Sequence, residues 1–258
     1  MIAGETSTRR EALRVRDLSL RYPNGKLALA DFALNVRAGE LAVVLGGNGS
    51  GKTTLLRCIS RTVRPATGEV WLNQTNLAQL DGAKLRRARL DLAMISQHAS
   101  LVRRRSVLSN VASGALGRHF TLWTALGGLP ADELQAARGY LAEVGLAELA
   151  GQRAGTLSGG QAQRVAIARA LAQRPRVLLA DEPVASLDPE AAQEIMRLLQ
   201  RLAREEDLAV LCVLHQVELA YSYADRVIGI RDGRVAFDRV RTELSRDEVR
   251  RLYLSAAA

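Results

Sequence analysis

Nine consecutive residues constrain this chain more than any others: Gly46-Gly47-Asn48-Gly49-Ser50-Gly51-Lys52-Thr53-Thr54. They satisfy G-x-x-x-x-G-K-[ST], with Gly46, Gly51, Lys52 and Thr53 at the required positions. An apolar run at 41–45 precedes the motif, and a helix-compatible run through Leu55, Leu56 and Ile59 follows it. That strand–loop–helix setting gives the pattern its meaning. The glycines let the backbone turn tightly, so that successive N–H groups point inward around phosphate oxygens. The positive end of the next helix adds to the attraction. In such a loop Lys52 reaches the terminal phosphates and the Thr53 hydroxyl faces Mg²⁺. Glycine-rich turns between strands and helices are common without that chemistry; the Lys-Thr pair separates the two cases. Of the 36 cationic side chains, only Lys26, Lys52 and Lys84 are lysines. A compact ammonium on a flexible stem suits a phosphate chain.

A chain of 258 residues can form one large α/β domain or two small ones. Its 48% hydrophobic and 24% charged residues are ordinary for a soluble globular protein. The net charge of +9 is compatible with nucleic acid, an anionic membrane surface or phosphate ligands. Arginines are spread along the chain, with small clusters at Arg86-Arg87-Arg89 and Arg103-Arg104-Arg105 and no interleaved aromatics. No nucleic-acid partner is therefore expected. Cys58 and Cys212 lie in apolar runs without a CxxC or a paired histidine. Neither a disulfide framework nor a metal site is indicated, and a reducing compartment fits. The first sixteen residues lack the apolar stretch of a secretory signal. No window approaches the roughly 18 apolar residues of a membrane span.

Taken in order, Leu13, Val15, Leu18 and Leu20 alternate up to the turn Tyr22-Pro23-Asn24-Gly25. The alternation resumes from Leu27 to Val36 and ends at Ala38-Gly39, which predicts antiparallel strands leading into the phosphate loop. Thr67-Gly68 reads as a turn before the short strand Val70-Trp71-Leu72, residues 80–90 as a basic helix, and 92–95 as a buried strand leading to Gln97. From about 100 to 175 the spacing is helical, interrupted by Phe120-Thr121-Leu122-Trp123-Thr124-Ala125-Leu126. That segment reads as helix packing or as part of a partner surface. Strands return at 177–180, 208–214, 226–230 and 234–237, the last two around the hairpin signal Asp232-Gly233. Asp188 caps a helix with Pro189 at its first position, and a last amphipathic helix covers 246–254. With no internal repeat and no low-complexity linker, the chain reads as one domain over 12–254, with a helical part at about 98–172.

The remaining chemistry falls at the ends of these elements. Leu157-Ser158-Gly159-Gly160-Gln161 stands before a helical run, and a Ser-Gly-Gly turn at a helix N-terminus is a second phosphate site. One fold cannot easily close two such sites on one terminal phosphate, which points to a second copy arranged head to tail. Asp181 and Glu182 end a buried strand; the first suits Mg²⁺ and the second suits taking a proton from water. Adjacent acids at a strand end also serve as a solvated turn, and the upstream loop decides against that. His215 and Gln97 each follow an apolar strand, positions from which they would reach the terminal phosphate and the Mg²⁺ or water. Tyr22 is a turn aromatic whose face suits adenine.

Together these residues resemble the ATP-binding-cassette (ABC) ATPases over nearly the whole chain. The resemblance rests on residues 46–53 (Walker A), Gln97 (Q-loop), 157–161 (signature), 177–182 (Walker B), Ser186-Leu187-Asp188 (D-loop) and His215 (switch histidine). It implies an α/β P-loop fold with a RecA-like core, an antiparallel β subdomain and an α-helical subdomain. It also implies ATP and Mg²⁺, and two copies that sandwich two ATP molecules. Ser158, Gly159, Gly160 and Gln161 then serve the ATP of the opposite copy, and Asp188 communicates across the interface. Within that family, Asp181-Glu182-Pro183-Val184-Ala185-Ser186-Leu187-Asp188-Pro189 and Leu214-His215-Gln216-Val217-Glu218 look like the ATPase subunits of bacterial phosphonate importers. So does Ser106-Val107-Leu108-Ser109-Asn110-Val111. Ser96, His98 and Glu218 depart from that group's usual residues.

The implied assembly sits on the cytoplasmic face of the inner membrane, with separate permease chains and, indirectly, a solute-binding protein. The alternatives are an importer ATPase for another small solute, such as phosphite or an amino acid, and a soluble ABC ATPase gating a non-transport complex.

Overall fold

The computed structural model describes residues 10–119, 124 and 128–253. Strands β1 (Glu11–Arg21) and β2 (Leu27–Arg37) form the expected antiparallel pair. With β4 (Thr67–Leu72) and β5 (Thr75–Asn76) they make a four-stranded antiparallel sheet in the order β2-β1-β4-β5. A second sheet of six strands is built on β3 (Leu41–Leu45), β6 (Leu92–Ile95), β7 (Val177–Asp181), β8 (Ala209–Val213), β9 (Arg226–Arg231) and β10 (Arg234–Val240). Its order is β10-β9-β3-β8-β7-β6. Every neighbouring pair is parallel except the β9–β10 hairpin at the edge.

The interiors of the parallel strands are apolar because both faces are covered. From β3, Leu41, Val43 and Leu45 point into one core with Leu178, Ala180, Val210 and Cys212. Ala42 and Val44 point into the other with Leu179, Leu211 and Val213. The second core is closed by α1 (Lys52–Ile59), through Leu55 and Leu56, and by the antiparallel sheet, through Leu18 and Phe32. The first is closed by helices α3 (Val107–Ala112), α4 (Ala131–Glu143), α5 (Gly159–Leu171) and α6 (Pro189–Glu205), together with α7 (Val217–Tyr223) and α8 (Arg246–Tyr253). In α6, Ala192, Ile195, Met196, Leu199, Leu202 and Ala203 are buried at helical spacing. The Asp188 side chain accepts a bond from the Ala191 N–H, capping the helix as expected.

Three local expectations are corrected. Thr67-Gly68 is the start of β4 rather than a turn before it. Gly68 has φ +97°, and a Cβ there would stand 2.6 Å from the Asp17 carbonyl oxygen. The bend is thus absorbed as an irregularity in the β1–β4 ladder, between Arg16 and Ser19. The basic helix expected at 80–90 is α2 (Gly82–Ala88) followed by a 3₁₀ turn. Arg61 fixes the 3₁₀ turn ahead of it (Leu77–Gln79) by donating to the Leu77 and Leu80 carbonyls and to Asp81. The strand at 234–237 continues to Val240. Of the segment 120–126 only Thr124 is described, buried and donating its hydroxyl proton to the His119 carbonyl; the rest lies outside the described residues.

Candidate active site

Parallel pairing brings the ends of three strands, β3, β8 and β7, to one edge of the sheet. Val44 of β3 stands opposite Val213 of β8, and Val213 stands opposite Asp181 of β7. The loop after β3, the acids ending β7 and the histidine after β8 therefore meet although 169 residues separate the paired positions of β3 and β8 in sequence; in a parallel sheet this carboxyl edge is where ligands bind. Backbone bonds extend the ladder past the strands: Leu214 N–H donates to Val44 O (3.1 Å) and Glu182 N–H to Val213 O (3.1 Å).

The loop turns sharply into α1 at Gly51, whose φ is +111°. A Cβ there would lie 2.5 Å from the Ala28 carbonyl oxygen, so only glycine fits. Lys52 folds back over the loop and is buried, its ammonium donating to the carbonyls of Gly46 (2.8 Å) and Gly47 (2.9 Å). Burial pushes its pKa below the ordinary value, against the opposing pull of Glu182 and Asp181. The Ser50 hydroxyl is also buried and has no hydrogen-bond partner among the described residues. A loop that holds an orphan hydroxyl and an ammonium resting on carbonyls fits a polyanion.

Tyr22, Lys26, Asn48, Gly49, Gly51, Lys52, Thr53, Thr54, Glu182 and His215, with Ala28, line one open cavity of about 280 Å³. The Tyr22 hydroxyl is 3.2 Å from the Thr54 hydroxyl, which ties the turn between β1 and β2 to α1. Glu182 adopts φ +51°, a left-handed conformation sparsely used by residues other than glycine. It places the Glu182 carboxylate 2.5 Å from His215 Nε2. Below it, the Thr53 hydroxyl donates to Asp181 Oδ1 at 3.5 Å. Burial and the neighbouring Glu182 raise the Asp181 pKa, while Thr53, Arg57 and Lys52 lower it by less. An incompletely compensated carboxylate beside a hydroxyl suits a hard cation that takes its other ligands from phosphate and water.

Of the expected site residues, Gly46, Gly47, Ser50 and Asp181 belong to the loop and strand behind this lining, and Gln97, Ser158, Gly159, Gly160, Gln161 and Asp188 are not part of it either. Gln97 is exposed, two residues beyond the end of β6, and does not line the cavity. Ser158 and Gln161 form a reciprocal capping box on α5: Gln161 N–H donates to Ser158 Oγ (3.2 Å) and Ser158 N–H to Gln161 Oε1 (3.0 Å). Gly159 packs toward Leu187 and Gly160 toward Ala191, so this turn adjoins Asp188 at the start of α6. None of these residues lines the cavity of its own chain. Sequence reasoning missed Lys26 as a lining residue; its rarity in an arginine-rich chain was the available signal.

A parallel sheet with a phosphate loop, an acid pair and a histidine at one edge defines a P-loop nucleotide-hydrolysing domain. The model of the ABC transporter family matches residues 29–185, and the chain belongs to that family, in its ATPase class. It is 44% identical over 241 residues to the phosphonates import ATP-binding protein PhnC of Wolinella succinogenes, covering 93% of this chain and 88% of that one. It is 46% identical over 242 residues to the phosphite import ATP-binding protein PxtA of Stutzerimonas stutzeri, covering 93% and 86%. A solved dimeric post-hydrolysis state of the ATP-binding cassette MJ0796, bound to ADP and Pi, superposes with a TM-score of 0.75 at 32% identity. That alignment covers 88% of this chain and 98% of the other.

Proposed function

We propose that the chain is the ATP-hydrolysing subunit of a bacterial importer for phosphonates, bound peripherally to the cytoplasmic face of the inner membrane through separate permease chains. The observation that carries hydrolysis is Glu182, held by its left-handed backbone and by His215 in the cavity that also contains Lys52. The named relatives support the substrate. Among the described residues no helix is long and apolar enough to cross a membrane, so permeases would be other chains.

In this reading the triphosphate lies along the amides of Gly46, Gly47, Asn48, Gly49, Ser50, Gly51, Lys52, Thr53 and Thr54, with adenine on Tyr22. Lys52 exchanges the Gly46 and Gly47 carbonyls for phosphate oxygens. Thr53, Asp181 and Gln97 would hold Mg²⁺, which supplies neutralisation of phosphate charge. Glu182 accepts a proton from water as its oxygen bonds to the terminal phosphorus. The bond to the bridging oxygen then breaks, giving ADP and phosphate. His215 keeps Glu182 aimed at that water. Ser158, Gly159, Gly160 and Gln161 complete the site of a second copy, head to tail, and Asp188 lies at the same interface. The packing of this turn toward Leu187 and Ala191, beside Asp188, supports this assignment.

Coupling to the permease is assigned to the helical region near 97–126. A larger cleft of about 420 Å³ supports it, because Leu92, Ala93 and Met94 of β6 line it together with Ser113, Gly114 and Gly117. The same strand leads directly to Gln97. The test is growth of cells lacking this subunit on a phosphonate as sole phosphorus source, with and without its restoration. Growth restored on phosphonate supports the reading. Restoration on phosphite alone would favour the second reading, phosphite import, which the 46% identical relative supports.

A further inference from the structure

The cavity holds a cation that the proposed mechanism leaves unused. Lys26 lines it beside Tyr22 and Gly49. A Cβ built on Gly49 would stand 3.6 Å from the Lys26 ammonium, which therefore sits against the loop that wraps the phosphates. Its position is set by a closed turn. Tyr22 N–H donates to Lys26 O (2.9 Å), Gly25 N–H to Tyr22 O (2.9 Å) and Lys26 N–H to Asn24 Oδ1 (3.1 Å). Arg21 adds a bond to the Gly25 carbonyl at 2.6 Å. The aromatic and the ammonium are thus presented together on one rigid hairpin.

Nothing in the fold accounts for the charge. Among the described residues, no carboxylate lies within ion-pair distance of Lys26, and the side chain is exposed. The chain fills almost every cationic position with arginine, yet two of its three lysines line this one cavity and no arginine does. An ammonium meets a phosphate chain as a point charge on a flexible stem, where a guanidinium would meet it through a planar, bidentate fork.

We infer that Lys26 is a second cation for the nucleotide, gripping the phosphate chain from the Gly49 side of the loop while Lys52 holds it from within. The inference rests on the nucleotide reading of the cavity and names a specificity contact within it. It makes the β1–β2 hairpin a two-point reader: Tyr22 faces the base and Lys26 the phosphates.

The test is equilibrium binding of ATP, ADP and adenosine to the full chain and to Lys26→Met, Lys26→Arg and Lys52→Ala. Lys26 makes no side-chain bond, so neither of its substitutions removes a fold contact. The expected result is a three- to tenfold weaker Kd for ATP and ADP in Lys26→Met, no change for adenosine, and recovery to within about twofold in Lys26→Arg. Unchanged ATP and ADP affinities in Lys26→Met, with Lys52→Ala impaired, would overturn the inference and leave the nucleotide reading standing. An equal loss for adenosine would overturn the phosphate assignment. If the parent chain bound no ATP, the nucleotide reading itself would fall.

Discussion

His215 Nε2 lies 2.5 Å from Glu182 Oε1, joining two residues that follow different parallel strands. The bond occupies one carboxylate oxygen and fixes the plane of the other. A side chain at the end of a strand is otherwise free to rotate, so the histidine converts a flexible acid into an aimed one. Replacing His215 with Ala should lower ATP turnover about 10- to 100-fold. ATP affinity should stay within about threefold, because Lys52 and the loop amides remain. Separate determination of Kd and kcat checks this; a loss confined to Kd would make His215 a binding residue.

Ser158 does not line the cavity of its own chain, and a head-to-tail dimer makes a distinctive prediction. Lys52→Ala and Ser158→Arg should each be inactive alone. Mixed dimers of the two carry one doubly defective site and one intact site. Mixing equal amounts should therefore restore about one quarter of parental ATPase activity. If both functions belonged to one chain, mixing would restore none.

The buried carboxylate of Glu133 anchors an ion cluster outside the site. Its carboxylate receives Arg118 at 2.8 Å, His119 at 2.8 Å and Arg174 at 3.4 Å, and Arg118 also donates to the Ala172 carbonyl. The cluster ties α4 and the turn after α3 to the segment that enters β7. Glu133→Gln should destabilise the chain by about 1–2 kcal/mol, since it removes the charge partner of Arg118 while His119 and Arg174 stay partly solvated. Burial raises the Glu133 pKa, but the bonds from His119 and Arg118 and the charges of Arg118 and Arg174 outweigh it, and the net position lies below 4.5. A carboxylate depressed in the folded state stabilises fully above its unfolded pKa and loses that contribution as pH falls through the folded value. The difference in Tm between parent and Glu133→Gln should hold from neutral pH to about 5 and shrink below 4.5. A pH-independent difference would place the effect in packing instead.

The central strands of the sheet were legible because they are short apolar runs next to residues with chemistry: Asp181 ends β7, and His215 follows β8 by two residues. The phosphate loop was legible residue by residue, since Gly51 and Lys52 each satisfy a steric or electrostatic demand that few residues meet. The left-handed turn at Glu182 was not, because nothing in an acidic pair encodes φ. Arg61 was equally opaque: an arginine two residues after a helix carries no mark that it will bind carbonyls sixteen and nineteen residues away. Lys26 and the Glu133 cluster depend on hairpin and helix packing that no local pattern reports.

Glu182 is the residue on which hydrolysis, rather than passive nucleotide binding, depends. Steady-state ATP turnover of Glu182→Gln, measured beside its ATP affinity, tests this most directly. The amide keeps the shape of the carboxylate and cannot accept the proton. Turnover should fall by at least about 100-fold while ATP affinity stays within about threefold of the parent. Turnover within threefold of the parent would remove Glu182 from the role of base.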